Sequence, residues 1–350
     1  DPPNAAPPAR VPPSMIPPAR PVPPLLVLAG ATATGKTGLA IRVAESLAAQ
    51  GIVAEIISAD SRQVFRGLDI GTAKATAEDR ARVPHHGLDL VDPDQPFTVA
   101  DYVTHARDVL GDIAGRAEAA GRGGLAILAG GTGLYLRAIA RGLDTDALPS
   151  DAAIRARIET DLLESGLEAS VERLQKLAPT LAAGLDLRNP RRVARALEIA
   201  EIRGDAPLPA PRGYAAPHAW VGLRVPPETH DAWIVARARE QFVNGLIEEA
   251  AALRERYDPA LPAFSAIGYR EAWSVLDGEA TLDQAIATDS QRNRAFARRQ
   301  RTWFRSEPDI AWMDPSRADR LPAIVAVARG LIAPAPPTRS GEAEAILGRP

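Results

Sequence analysis

The stretch "LVLAGATATGKT" runs from Leu26 to Thr37. The apolar run Leu25–Ala29 at its start reads as a strand buried on both faces, as in a parallel sheet. Beyond a glycine-framed loop, Thr37–Gln50 shows helical periodicity through Leu39, Ala40, Val43, Ala44 and Leu47, and Gly51 ends it. The residues between, Gly30, Ala31, Thr32, Ala33, Thr34, Gly35, Lys36 and Thr37, match G-x-x-x-x-G-K-[ST] without deviation. Between a strand and a helix this pattern makes a phosphate cradle. The glycines let backbone N–H groups turn inward, and the helix start adds partial positive charge. Lys36 brings a point charge to phosphate oxygens, and the Thr37 hydroxyl can be placed on Mg²⁺. Of 41 basic residues only Lys36, Lys74 and Lys176 are lysine, so a lysine at that position is not an accident of composition.

Working outward, Val53–Ser58 reads as a second strand closing in "SADSRQ", and Gly87–Val91 as a third. Val99–Ala120 reads as a long helix, and Leu125–Ala129 as a fourth strand running into "GGTGLYLRAIA". Strands alternating with helices predict an α/β fold of the P-loop type, a parallel sheet flanked by helices. In such sheets ligands bind beyond the carboxyl ends of the strands. The loops after Ala29, Ser58 and Ala129 gather at that edge. Asp60 is placed there to take a proton from an acceptor, although a turn aspartate leaves the same mark. Thr132 offers a hydroxyl from a glycine loop that allows close approach of a substrate; a plain tight turn reads equally well. Lys74, in "GLDIGTAK", is a further candidate charge.

From Leu148 to Arg203 the pattern is helical without strands: Asp151–Leu163, Leu167–Leu177, and a helix opened by Asn189 as cap and Pro190 in the first turn. A strand at Ala219–Arg224 then returns to the sheet, followed by helices at about His230–Tyr257, Tyr269–Leu276, Leu282–Arg305 and Pro322–Ile332. The expected organisation is a core from 25–147 and 219–332, with a helical C-terminal extension, and an all-helical insertion domain at 148–218. The ends, 1–24 and 333–350, are expected to be disordered proline-rich tails; the first holds eleven prolines and lacks the apolar stretch of a secretory signal.

The chain has 350 residues, a net charge of −3 and no cysteine, which excludes disulfides, thiolate zinc sites and cysteine nucleophiles. Its five histidines lack metal-ligand spacing, and no window approaches a membrane span. A cytoplasmic enzyme is the expected class. On this slightly acidic background two arginine clusters stand out. "QRNRAFARRQRTWFR" has six arginines and no acid between Ser290 and Ser306. Arg294, Arg298, Arg301 and Arg305 recur on one helical face, with Phe296, Gln300 and Trp303 as a second stripe. "RNPRRVAR" places Arg188, Arg191, Arg192 and Arg195 at another helix start. Two acid-free patches point to one extended polyanion, RNA or DNA, against the plainer reading of solvated arginine faces.

With these pieces the sequence resembles the tRNA dimethylallyltransferases (tRNA isopentenyltransferases). The resemblance is carried by "GATATGKT", "ISADSRQVFRGLDIGTAK", "VPHHGLDLVDP", "LAGGTGLYLRAI", "RNPRRVARALEI", "IGYREAW" and "RRQRTWFR", in order, over Leu25 to Asp314. It implies that the P-loop grips the diphosphate of dimethylallyl diphosphate. N6 of the adenosine 3′ to the anticodon then attacks C1 of the prenyl group, in tRNAs reading codons that start with U. Lys36, the loop amides and Mg²⁺ on Thr37 would stabilise the leaving diphosphate, Asp60 would act as base, and Thr132 would help to place the adenine. Contacts to the tRNA anticodon stem-loop are implied for Asp60, Ser61, Arg62, Gln63, Thr132 and Arg155. The insertion helix would add Arg191, Arg192, Val193, Ala194 and Arg195. The "IGYR" turn would add Ser265, Ala266, Ile267, Gly268, Tyr269 and Arg270. From the last basic helix come Arg298, Arg299, Gln300 and Arg301, then Thr302, Trp303, Phe304 and Arg305. A monomer is expected. Departures from the family are Phe65 for a usual tyrosine, Ala75 for a usual proline, and Asp231 where an arginine is frequent. If that arginine binds diphosphate, Arg224 is the candidate to replace it. The absence of cysteine excludes the zinc finger of some eukaryotic members.

Two other enzymes share the first three loops. A P-loop small-molecule kinase would use Asp60 on an alcohol, but leaves both arginine patches and about 150 residues without a purpose. An adenylate isopentenyltransferase, acting on free nucleotides, would have little use for the helix carrying Arg298–Arg305. A non-catalytic RNA-binding protein would tolerate the loss of Asp60.

Overall fold

The computed structural model describes residues 21–145 and 148–332. Most of both expected tails lies outside these residues. The described end of the first is packed: Val22 lies against the core, and Pro23 accepts the Tyr214 hydroxyl at 2.7 Å.

Six parallel strands form one sheet: β1 (Leu25–Gly30), β2 (Val53–Ala59), β3 (His85–His86), β4 (Gly124–Gly130), β5 (His218–Leu223) and β6 (Ile310–Met313), in the order β3-β2-β4-β1-β5-β6. Central strands covered on both faces need apolar side chains at every position, which is why β1 reads as an unbroken apolar run. Leu26 and Leu28 turn to one face with Leu39, Val43 and Leu47 of α1 (Lys36–Ala48) and Ile324 of α12 (Arg320–Ile332). Leu25, Val27 and Ala29 turn to the other with Tyr102 and Ile113 of α3 (Val99–Ala119) and Leu136 of α4 (Gly133–Ala140). In register, Gly130 lies opposite both Ala29 and Ala59, so the three predicted loops leave the sheet side by side.

Three expectations change. The third strand is His85–His86, preceded by the short helix α2 (Ala77–Arg82), and not Gly87–Val91. Gly87 has φ +77°, and a Cβ there would stand 2.7 Å from the Ser58 carbonyl oxygen, so the extended run stops. Val91 keeps only an isolated bridge to Phe65. The helix read over His230–Tyr257 is two, α8 (Pro227–Val243) and α9 (Leu246–Arg256), broken at Gly245 with φ +103°. Strand β6 leaves no mark in the sequence; it is four residues at the sheet edge, too short and half-exposed to show a pattern.

Between β4 and β5 lie α5 (Ala152–Leu177), α6 (Pro179–Ala183) and α7 (Pro190–Arg203). Gly166, at φ +81°, divides α5 into the two predicted arms. The Asn189 side chain accepts the N–H groups of Arg191 and Arg192 at 3.1 and 3.3 Å and so caps α7. Ile158, Leu174, Val193 and Leu197 form a core separate from those of the sheet. The C-terminal segment adds α10 (Tyr269–Leu276) and α11 (Leu282–Arg305), which packs against α8 and crosses above the carboxyl edge of the sheet. Among the described residues no helix is long and apolar enough to cross a membrane.

Candidate active site

The cradle between β1 and α1 has the backbone its glycines predict. Gly35 takes φ +76° immediately before the helix, and Ala33 is also left-handed at φ +58°. Lys36 Nζ folds back to the Ala31 carbonyl oxygen at 2.6 Å. Burial pushes its ammonium down to about 7; the charge of Arg237 adds to this and that of Asp60 opposes it.

Thr32 is held through all three of its polar groups. Its N–H donates to Gln300 Oε1 at 2.8 Å, its carbonyl meets His230 Nε2 at 2.8 Å, and its hydroxyl accepts from Arg237 Nη1. Arg301 Nη1 stands 3.0 Å from His230 Nδ1. A guanidinium can only donate, so Nδ1 is the acceptor and Nε2 carries the hydrogen given to Thr32. Burial lowers the His230 pKa, consistent with this neutral imidazole; the bond to Thr32 opposes the shift and the Arg301 charge adds to it. The P-loop conformation is therefore set by α8 and α11 as well as by its own glycines.

Asp60 follows β2, and its Oδ1 accepts the Arg62 N–H at 2.8 Å in a tight turn. Thr132 Oγ1 accepts the N–H of Ser61 at 3.0 Å, and the Thr132 N–H donates to the Ala59 carbonyl at 3.0 Å. The glycines of "GGTG" serve a contact within the chain. A Cβ on Gly131 would lie 2.3 Å from Gln300 Nε2, and one on Gly133 2.3 Å from the Trp303 ring. They admit α11, where the sequence had pointed to substrate.

Two cavities meet at this edge. One, of about 230 Å³, is lined by the P-loop from Thr32 to Gly38 and by Asp60 and Arg237. The other, of about 420 Å³, is lined by Ser61, Arg62, Thr132, Arg191, Ile267 and Arg299, among others. Thr32, Asp60, Thr72, Arg237 and Phe296 line both, and so mark the junction.

The predicted site residues divide accordingly. Residues 32–37 of the P-loop, Asp60, Ser61, Arg62, Thr132, Arg191, Ser265, Ala266, Ile267 and Arg299 converge on the two cavities, Gln63 and Gln300 line the smaller one, and Gly30 and Ala31 line neither. Gln63 bonds within the chain, donating to the Thr72 carbonyl at 3.0 Å and accepting the Ser58 hydroxyl at 2.7 Å. Arg298, Thr302, Arg305 and Arg270 are exposed, as is Arg192; Ala194 is half-buried. Val193, Gly268, Tyr269 and Phe304 are buried, and the side chains of Val193, Tyr269 and Phe304 belong to hydrophobic cores. They act through packing and line neither of these two cavities. Trp303 is half-buried, with the Arg137 guanidinium 4.3 Å above its ring.

Neither arginine patch is free of acid in space. Arg155 and Arg195 converge on Glu198, a fully buried carboxylate, at 3.1 and 2.6 Å. Arg294 pairs with Asp231 at 2.9 Å, and Arg292 pairs with Glu271. Lys74 is withdrawn from ligand: its buried ammonium bonds Asp69 at 2.6 Å, Asp89 at 2.7 Å and the Phe65 carbonyl at 2.9 Å. The buried ammonium thus finds three acceptors within the chain, which explains a lysine kept for structure. Arg224, the candidate diphosphate ligand, lies over the Trp312 ring at 4.8 Å and lines neither cavity. Arg237 is the arginine at the junction. Sequence reasoning passes over it because one more arginine inside a helix of an arginine-rich chain carries no local mark.

A phosphate cradle at the carboxyl edge of a parallel sheet defines a P-loop α/β protein, here one whose cradle opens into a second cleft walled by added helices. Over residues 63–307 the sequence matches the family described as IPP transferase, and the chain belongs to that family. It is 42% identical over 318 residues to a tRNA dimethylallyltransferase of Anaeromyxobacter sp. (strain K), covering 89% of this chain and 98% of that one. It is 41% identical over 300 residues to one of Roseiflexus sp. (strain RS-1), covering 85% and 94%. The full-length tRNA isopentenylpyrophosphate transferase of Bacillus halodurans superposes with a TM-score of 0.63 at 36% identity, over 88% of this chain and 96% of that one. A eukaryotic dimethylallyltransferase acting on tRNA shares the fold, with a TM-score of 0.66 at 24% identity, over 87% and 78%. The relatives support the prenyltransferase reading and lend none to a kinase or a free-nucleotide enzyme.

Proposed function

We propose that this chain transfers a dimethylallyl group from dimethylallyl diphosphate to N6 of the adenosine 3′ to the anticodon of tRNA, releasing diphosphate. The observation that carries the reading is the junction at Asp60: one carboxylate lines both the phosphate cradle and the wider cleft. The diphosphate lies along the P-loop against Lys36 and Arg237, so that charge developing on the leaving group meets cations and N–H donors. The flipped adenosine enters the second cleft past Arg62 and Arg191. Its N6 lone pair forms the bond to C1 as the C1–oxygen bond breaks onto diphosphate, and Asp60 takes the N6 proton. Phe296, half-buried at the junction, offers an apolar surface to the prenyl chain.

The donor set fits Mg²⁺ held mainly by substrate phosphates and water, with Thr37 as its protein ligand, since no group of three carboxylate or imidazole ligands occurs among the described residues. When bound, the ion would neutralise charge on the departing diphosphate. Arg298 and Arg305 face the RNA backbone, and Arg155 and Arg195, braced by Glu198, orient the helical insertion domain (148–218) on the anticodon arm. Such a protein works as a monomer in the cytoplasm, where tRNA is.

The test is a transfer assay with labelled dimethylallyl diphosphate, Mg²⁺ and either an anticodon stem-loop or free AMP. Label on the stem-loop alone is expected. Label on AMP alone would move the activity to free nucleotides.

A further inference from the structure

Gln300 stands between the two halves of the site. From α11 its Oε1 accepts the Thr32 N–H of the P-loop at 2.8 Å, and its Nε2 donates to the Gly131 carbonyl of the β4 loop at 2.9 Å. Both bonds are buried. The two loops it joins have different duties. Thr32 belongs to the diphosphate cradle; Gly131 precedes Thr132, which holds Ser61 beside Asp60. A Cβ at Gly131 would stand 2.3 Å from Gln300 Nε2, so any side chain there pushes the amide off its place. One amide thus measures the gap between donor and acceptor pockets, with one end on each.

We propose that Gln300 is a positioning residue that fixes the separation of the diphosphate cradle from the acceptor pocket, so that C1 of the prenyl group meets the acceptor amine in preference to water. This assignment rests on the function proposed above, and departs from the tRNA contact that family resemblance implies for Gln300. The amide is buried and both its ends are engaged within the protein. The competing reaction is defined. Water attacks C1, the C1–oxygen bond breaks onto diphosphate, and dimethylallyl alcohol forms with release of one proton. A displacement of about 1 Å is enough to cost an aligned bimolecular step about a hundredfold, whereas water, being small and abundant, needs no alignment by the β4 loop.

The experiment measures how full-length enzyme divides labelled dimethylallyl diphosphate between a saturating anticodon stem-loop and water. Wild type is compared with Gln300→Leu, which can bridge neither loop, and with Gly131→Ala, which displaces the amide while leaving the glutamine itself in place. The expected result is a fall of about tenfold or more in the ratio of RNA prenylation to alcohol formation in both variants. The ratio is independent of how much protein is folded, so lower stability alone leaves it unchanged. An unchanged ratio, or loss of both reactions in equal measure, overturns the assignment and leaves Gln300 as a packing residue. Failure of the wild type itself to prenylate the stem-loop would instead strike at the function on which the inference rests.

Discussion

Thr132 Oγ1 accepts the Ser61 N–H at 3.0 Å, so the loop leaving β4 holds the turn that carries Asp60. Family resemblance gives this hydroxyl to the adenine. In the structure it holds the chain beside Asp60. Thr132→Ala leaves the Ser61 N–H without that acceptor and loosens the turn. The expected outcome is a fall in kcat of about ten- to a hundredfold with a smaller change in KM, since the effect lies on alignment. Thr132→Ser keeps the oxygen and should stay within a few-fold of wild type. A fully active alanine variant would show that the hydroxyl has no part in placing Asp60.

Lys36 makes diphosphate binding at this site depend on pH. Its ammonium is pushed down to about 7, chiefly by burial. A bound diphosphate favours the charged form, so binding above that pH must take up a proton. Calorimetry of pyrophosphate binding at pH 8 in buffers of different ionisation enthalpy should show uptake approaching about one proton; at pH 6, where the lysine is already charged, this contribution should vanish. Affinity falls correspondingly as pH rises above 7. Lys36→Arg, charged throughout, should lose the Lys36 share of the uptake. Equal uptake in both proteins would place the titration elsewhere.

The basic face of α11 sorts into engaged and exposed arginines, and salt dependence distinguishes them. Arg298 and Arg305 are exposed, whereas Arg294 is paired with Asp231. Replacing Arg298 and Arg305 by Ala should weaken stem-loop binding and reduce the slope of log affinity against log salt by about one for each phosphate no longer neutralised. Arg294→Ala should leave the slope near that of wild type. If all three substitutions act alike, the helix contributes only a diffuse field.

The legible parts of this protein are those whose chemistry is local. Gly30–Thr37 fixes a strand, a turn and a helix start within eight residues, and the structure follows it. Asn189–Pro190 marks its helix for the same reason. The break at Gly245 is signalled by the dipeptide Asn244–Gly245, but apolar periodicity on both sides conceals it. Partners distant in sequence leave no trace. Asp231 neutralises Arg294 across 63 positions, and Gln300 reaches Thr32 across 268. Lys74 shows the converse: its rarity marks a charge in use, but rarity does not tell a buried ion pair from a ligand. Arg237 is hidden by the arginine bias of the whole chain.

In the function proposed above, chemistry occurs where the two cavities meet, at Asp60. The most direct measurement is single-turnover transfer to an anticodon stem-loop by Asp60→Asn, with stem-loop affinity determined on the same preparation. Asparagine keeps the shape and the acceptor oxygen for the Arg62 N–H, and loses the negative charge and with it the ability to take a proton. Affinity is expected to stay within a few-fold of wild type, while the transfer rate falls by about 10²–10⁴. Transfer at the wild-type rate would contradict the claim and move the base, and with it the reacting centre, away from the junction.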